Sequence, residues 1–412
     1  MGLKYATLLE QSIHKCGFAV VDVCDNGDVS DIHGTEKGAL LYVPEGKKAM
    51  RNAVAAGVYF VFVRFHPLFP GFLAACIIGG WMAISGSVSD SSLPKTQVLA
   101  EKAASSSLEE ESSFVLLAVG DIMLSRFVAV VAEKNGGLSY PFAKTKEWLQ
   151  GADLTFANLE NPVAPGKKMP AKGLSFRAAP ESAEALKEAG IDIVSLANNH
   201  MTDAGEGAVS VTRSLLEGAG ILFVGAGTTE EEARRPVFVT VKGKTIAFLA
   251  YGESRFKNQV HFADEKHAGI ALASKEHFAE DIAAARAQAD IVIVSLHAGA
   301  EYRPKPDAIQ QELARSAIDA GADLVLGHHP HVVQPVERYK EKFIVYSLGN
   351  FIFDQNWSRE TSESAMLRIH FTGTTVTHIE GIPIVIENDA QPRILSGSRA
   401  DAILQRMELA LP

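Results

Sequence analysis

Five stretches of this chain end an apolar run on side chains that bind metal ions or move protons. "FVLLAVG" runs into Asp121, "LTFAN" into Leu159 and Glu160, and "IDIVSLA" into Asn198, Asn199 and His200. "DIVIVSL" runs into His297, and "DLVLG" into His328, His329 and His331. A surface turn accounts for an Asn-Asn pair alone, because asparagine tolerates left-handed backbone and bonds its own chain. A lone histidine at a strand end is more often a structural residue than a ligand. Five repetitions of the pattern are not explained in either way. Imidazole and carboxylate together suit Zn, Mn or Fe, and the lack of thiolate argues against a closed structural zinc site. The set holds enough donors for two divalent transition-metal ions sharing a carboxylate. Such a pair hydrolyses phosphate esters by clamping and activating a water.

The elements that must position these groups alternate between strand and helix. "ESAEALKEAG" leads into "IDIVSLANNH", and "GAVSVTRSLLEGAG" into "ILFVGAG". "KEHFAEDIAAARAQA" precedes "DIVIVSLH", and "DAIQQELARSAIDAGA" precedes "DLVLGHHPH". The helical runs carry apolar residues at three- and four-residue spacing and close on glycine or Ala-Gly. This alternation predicts a largely parallel sheet covered by helices, with the ligand crevice beyond the carboxyl ends of the strands. The end of the chain differs: "KFIVYSLGNFIF", "MLRIHFTG" and "TVTHIEGIPIVIE" follow one another without a helix, and "TGTT" signals a hairpin.

At 412 residues, 47% hydrophobic and 21% charged, the chain can bury a sizeable core. Its net charge of -10 argues against nucleic-acid binding. Cys16, Cys24 and Cys76 all precede Phe114, so the later part has neither a disulfide framework nor a thiolate metal site. Residues 1–49 have no assignable role; they are either a small accessory piece or lie upstream of a start at Met50. Residues 50–90 read as a membrane-anchor region. From Pro67 to Ser89 there is no charge, and a helix over about 68–88 is long enough to cross a bilayer. Lys47, Lys48, Arg51 and Arg64 precede it, which places the N-terminus in the cytoplasm and the rest outside. "LAAC" matches a lipoprotein cleavage box, but the apolar "IIGGWMAI" after Cys76 favours an uncleaved, single-pass anchor. Residues 91–113 are a Ser-, Ala- and charge-rich linker. A domain over 114–387 and a weakly patterned tail over 388–412 follow.

The motifs "VGDIML", "ANLENPV", "LANNHMTDAG", "SLHAGAEYRPKP", "LGHHPHVVQPVE" and "YSLGNFIFD" span nearly the whole of that domain. With them it resembles the CapA family, the poly-γ-glutamate capsule synthesis proteins of the calcineurin-like metallophosphoesterase superfamily. The resemblance implies a mixed α/β fold, a four-layer α/β/β/α sandwich. It also implies metal ligands at Asp121, Glu160 (bridging), Asn199, His297, His329 and His331, with His200 beside the substrate as acid or charge stabiliser. His328 is then structural or supports a ligand. Two departures stand out. Met123 occupies the histidine position of the superfamily's Asp-x-His, and Glu160 stands for its bridging Asp.

Arg177 and Arg303 are candidates to hold an anionic substrate group in bidentate fashion, against the alternative of solvated loop arginines. Glu301 and Asn198 are expected to support the ligands, Asn350 and Asp354 to line the crevice, and Asp203 to cap the helix beginning near Gly207. The expected function is a membrane-tethered, metal-dependent hydrolase of poly-γ-glutamate capsule synthesis or export, with synthase subunits as partners and an anionic substrate or polymer. The alternatives are a general phosphoesterase acting on another ester and a non-catalytic, polymer-binding export subunit.

Overall fold

The computed structural model describes residues 112–167 and 173–409, and two short strands near the N-terminus. The chain divides into two compact units, Met1–Ala103 and Ala104–Pro412. In the first, Val21–Val23, within the expected strand "FAVVDV", pairs antiparallel with Val29–Ile32. The anchor expected over residues 50–90 and most of the linker lie outside the described residues. Among the described residues no helix is long and apolar enough to cross a membrane.

The second unit is a mixed α/β fold built on two sheets. Its main elements in chain order, short turns of helix and two two-residue strands aside, are β1 (Ser113–Ile122), α1 (Arg126–Lys134), β2 (Leu154–Leu159), α2 (Ser182–Ala189), β3 (Ile193–Ser195), α3 (Gly207–Gly218) and β4 (Leu222–Val224). Then come β5 (Val237–Val241), β6 (Lys244–Gly252), α4 (Lys275–Arg286), β7 (Ile291–His297), α5 (Ala308–Asp319) and β8 (Leu324–His328). The chain closes with β9 (Val336–Tyr339), β10 (Lys342–Val345), β11 (Asn350–Ile352), β12 (Glu363–Thr372), β13 (Thr375–Glu387), β14 (Gln391–Ile394) and α6 (Ser398–Arg406). One sheet has the order β14-β13-β12-β1-β2-β3-β4, with β11 beside the end of β1; the other has the order β9-β10-β8-β7-β6-β5. α2, α3, α4 and α5 fall on the four helical runs read from the sequence, whereas α1 and α6 were not read from it. α2 stops where Gly190 takes a left-handed φ of 101° and its amide bonds back to Leu186 and Lys187.

Side-chain alternation in β6, β7 and β8 explains how the second sheet is buried on both faces. Ile246, Phe248, Ile291, Ile293, Leu324 and Leu326 join the core shared with the first sheet. Ala247, Leu249, Val292, Val294 and Val325 join a separate core with Phe278 and Ile282 of α4 and Ala314 and Ile318 of α5. Phe156 of β2 stacks on Phe248 of β6 at 5.6 Å, so each sheet supplies one ring to the layer between them. Truncating either ring costs about 3–5 kcal/mol at a site with this little room to collapse.

"KFIVYSLGNFIF" supplies a strand to each sheet: β10 pairs with β8 in one, and β11 pairs with β1 in the other. The chain crosses between sheets at the intervening turn, where Gly349 takes a φ of 70°. The closing runs do not follow one another without a helix as expected, since one helical turn, Arg359–Ser362, precedes β12. The weakly patterned residues from 388 hold two elements among the described residues. β14 pairs with β13, and α6 buries Ile403 and Leu404. A short amphipathic helix with one buried face carries too few apolar residues to stand out in a sequence.

Candidate metal centre

Strand register brings the ligating residues together. Asp121 of β1 sits opposite Asn158 of β2 on one side and Asn350 of β11 on the other. In the second sheet His297 of β7 sits opposite His328 of β8. All these strands run parallel, so their carboxyl ends share an edge in each sheet. The two edges meet: His297 Nδ1 is 3.4 Å from Asn158 Nδ2, and His328 Nδ1 is 3.2 Å from Asp121 Oδ1. Close crossing is required here. A Cβ on Gly120 would lie 1.9 Å from the Gly349 oxygen, the atom that accepts the Asp121 amide.

Two groups of side chains have ligand atoms all within 4.8 Å of one another: Asp121, Glu160 and His297, and Glu301, His329 and His331. His331 Nε2 lies 3.6 Å from Glu160 Oε1, which joins the groups into one centre. Asn199 Oδ1 is 2.9 Å from His297 Nε2, so the asparagine belongs with the first group. Neighbouring donors on one ion of roughly 2.1 Å radius of coordination stand about 3 Å apart, which that pair matches. Asp121, Glu160, Asn199, His297, His329 and His331 are therefore brought together as expected from the sequence, and Glu301 joins them.

The electrostatics favour a cation. Burial alone would raise the Asp121 carboxyl, but His328 and His331 outweigh it and hold it well below the usual carboxylate range. Burial, with the negative charge of Asp121 and Glu301, pushes Glu160 well above that range. Burial first, then neighbouring imidazole charge, holds His297 and His329 well below the ordinary histidine range, so both are neutral. Neutral imidazole is the form that binds metal. Glu160 Oε1 and His329 Nδ1 are buried with no hydrogen-bond partner among the described residues. Such orphans cost about 1–3 kcal/mol each unless a ligand or ion satisfies them. The residues present fit a divalent cation.

Further side chains orient the ligands. Asn158 donates to Asp121 Oδ1 at 2.8 Å and to Glu160 Oε2 at 3.2 Å. It accepts from Asn198, which also holds the Leu159 carbonyl and the His200 amide. Asn350 is an orienting residue rather than a crevice-lining one. Its Nδ2 donates to Gln355 and the Thr361 carbonyl, leaving Oδ1 to accept from His331 Nδ1 at 2.9 Å. That fixes the tautomer and leaves His331 Nε2 as the free donor atom. His329 and His331 take φ values of 97° and 58°, a strained turn that aims both rings at one centre.

His200 stands at the edge of the centre, with Nε2 4.0 Å from Glu160 Oε1. Its Nδ1 pairs with Asp203 at 2.8 Å, and its ring stacks on Phe176 at 3.8 Å between centroids. Asp203 is thus not the helix cap expected from the sequence. Glu206 precedes α3 without a side-chain cap, while Asp203 holds His200 and the Phe176 amide. Arg177 packs its guanidinium beside Gly166, and Arg303 is exposed. The cation near His200 is Arg126, 4.5 Å above the Phe176 ring and paired with Asp354. Arg126 lies only five residues after Asp121, in "DIMLSR", and that proximity was its sole signal.

A model of the family described as "Bacterial capsule synthesis protein PGA_cap" matches residues 115–355. The capsule biosynthesis protein CapA of Bacillus anthracis is 31% identical over 306 residues, covering 72% of this chain and 74% of its own. The PGA biosynthesis protein CapA of Bacillus subtilis is 37% identical over 299 residues, covering 71% and 77%. Among solved structures, the calcineurin-like phosphoesterase YfkN of Bacillus subtilis aligns with a TM-score of 0.44 at 14% identity, covering 72% of this chain and 96% of its own. That likeness is too distant to carry weight. On the family match and the two relatives, the chain belongs to the bacterial capsule synthesis protein family PGA_cap.

Proposed function

We propose that the protein is a membrane-anchored, extracytoplasmic, metal-dependent hydrolase that cleaves a phosphate ester in the synthesis or export of capsule poly-γ-glutamate. The capsule context comes from the printed names of its relatives. The chemistry rests on one observation: buried carboxylates and neutral imidazoles from the carboxyl edges of two sheets converge on unpartnered atoms, with His200 beside them. The four-layer α/β/β/α order belongs to this reading, and so does association with synthase subunits.

Asp121, Glu160, Asn199, His297, His329 and His331 would hold two divalent ions, Mn, Zn or Fe. Bound there, such ions supply Lewis-acid polarisation of a phosphoryl oxygen and a nucleophilic water at neutral pH. The protein's own residues do the rest. Asp203 accepts from His200 Nδ1 and so turns Nε2 towards the centre. As the imidazolium, paired through Nδ1 with the Asp203 carboxylate, His200 then gives its Nε2 proton to the departing oxygen and is left as the neutral Nδ1–H tautomer. Phe176, stacked on the imidazole, keeps it from swinging away.

The test uses the purified protein loaded with Mn, Zn or Fe and generic phosphomonoester and phosphodiester substrates. Metal-dependent turnover that falls about 10²–10⁴-fold in His200→Ala, with metal content unchanged, supports the reading. No turnover with any of the three metals overturns it. One feature favours a non-catalytic, polymer-binding role instead. Met123 is fully buried and its Sδ is engaged by the Ser125 amide, so it contributes no ligand. Normal capsule output from His200→Ala cells would support that second reading.

A further inference from the structure

We propose that Glu301 is a metal ligand, closing the second ion site from the solvent side. This rests on the two-ion reading above and deepens it. The observations are geometric. His329 and His331 offer two imidazoles to one point, and the Glu301 carboxylate lies within 4.8 Å of both ligand nitrogens. His329 and His331 are buried, whereas Glu301 is exposed, so the carboxylate covers the open side of an otherwise enclosed pair.

The backbone explains why it is there. After His297 the chain turns at Gly299, whose φ of 113° suits glycine, where a Cβ would also meet the Gln310 side chain at 2.5 Å. The loop then runs alongside the histidine turn. The Ala298 amide donates to the His328 carbonyl at 3.1 Å, and the Tyr302 amide donates to the Pro330 carbonyl at 2.8 Å. Pro330 lies between the two ligand histidines, so these bonds hold residue 301 in register with them. Tyr302 secures the far side, its ring stacked near His331 at 6.0 Å and its hydroxyl accepting from Gln355. The buried His329 Nδ1 has no hydrogen-bond partner among the described residues, a second observation that suits a ligand atom.

The consequence is chemical. A carboxylate as third donor makes the second site richer in oxygen, which raises the standing of Mn(II) relative to Zn(II) there. A ligand on a solvent-facing loop also makes this ion the more readily exchanged of the two.

The experiment is Mn(II) titration of the purified full-length protein, with bound metal counted after equilibrium dialysis, for wild type, Glu301→Gln and Glu301→Asp. Thermal melting in chelator checks the fold. The expected result is two equivalents in wild type. In Glu301→Gln one equivalent should keep its affinity while the other weakens at least 10-fold. Glu301→Asp, which keeps the charge, should recover part of the loss. Two equivalents of unchanged affinity in Glu301→Gln overturn the ligand assignment and leave the two-ion reading standing. A folded wild type that binds one equivalent or none overturns both.

Discussion

Asn158→Ala isolates the part of the site that the protein builds before any ion arrives. The Asn158 amide is fully buried and donates to carboxylates of both Asp121 and Glu160, while its oxygen accepts from Asn198. Hydrogen bonds to charged groups are worth about 1.5–3 kcal/mol each. His328 and His331 hold the Asp121 carboxyl low, whereas burial and the charge of Asp121 push Glu160 up, so the bond to Asp121 is the more strongly charge-assisted of the two. Asp121 therefore loses a full charge-assisted bond and Glu160 a weaker one. Asn198 retains the Leu159 carbonyl, so its loss is partial. The total is roughly 2–4 kcal/mol of stability in chelator, a fall in melting temperature of roughly 3–6 °C for a unit of this size. A bound cation takes over part of the compensation, so the gap should narrow when metal is added. Metal affinity should also fall about 10–100-fold, as when the partner that orients a ligand is removed. The assay is thermal unfolding of residues 104–412, with chelator and with saturating Mn(II), beside a metal titration. A variant that melts like wild type in chelator and binds metal equally well refutes the organising role.

Gly120→Ala should lower stability by about 3 kcal/mol or more, because its Cβ overlaps backbone rather than a movable side chain, and metal uptake should fall with it; wild-type melting would contradict the close approach. Glu232 is held at about 2 by Thr228 and then Arg213. A depressed carboxyl stabilises the fold above its unfolded value near 4.5 and loses that contribution as pH falls towards 2. Glu232→Gln should therefore cost roughly 1–2 kcal/mol at pH 7, after allowance for its partial exposure, and nothing at pH 2; a pH-independent difference in unfolding free energy would refute it. For the proposed topology, cysteines placed at Ser105 and Ser112 should react with a membrane-impermeant thiol reagent in intact cells, whereas one placed before Arg51 should not; the reverse pattern would place the site in the cytoplasm.

The candidate ligands were legible in the sequence because they obey a positional rule. Asp121, Glu160, Asn199, His297 and the histidine triplet all follow apolar runs, and parallel strands deliver such residues to one edge. Helices α2 to α5 were legible for the same kind of reason, through apolar spacing and a closing glycine or Ala-Gly. What stayed hidden depends on register and on loop paths. Asn158 is a strand residue whose importance appears only when Asp121 is seen opposite it. Glu301 was expected only to support a ligand; two backbone bonds that align its loop with the histidine turn bring its carboxylate into the group with His329 and His331. Asp203 looked like a helix cap because its position allowed it; the tertiary pairing with His200 won instead. The β10–β11 crossover escaped notice because both strands are apolar and only four residues separate them.

The central claim is a two-ion centre assembled from both sheets, and metal stoichiometry tests it most directly. Protein stripped with chelator, shown to be folded, then dialysed against Mn(II) or Zn(II), should retain about two equivalents by elemental analysis. His297→Ala should retain about one, and His200→Ala both. A folded wild-type protein that takes up no metal, or whose uptake is the same after His297→Ala, would contradict the account.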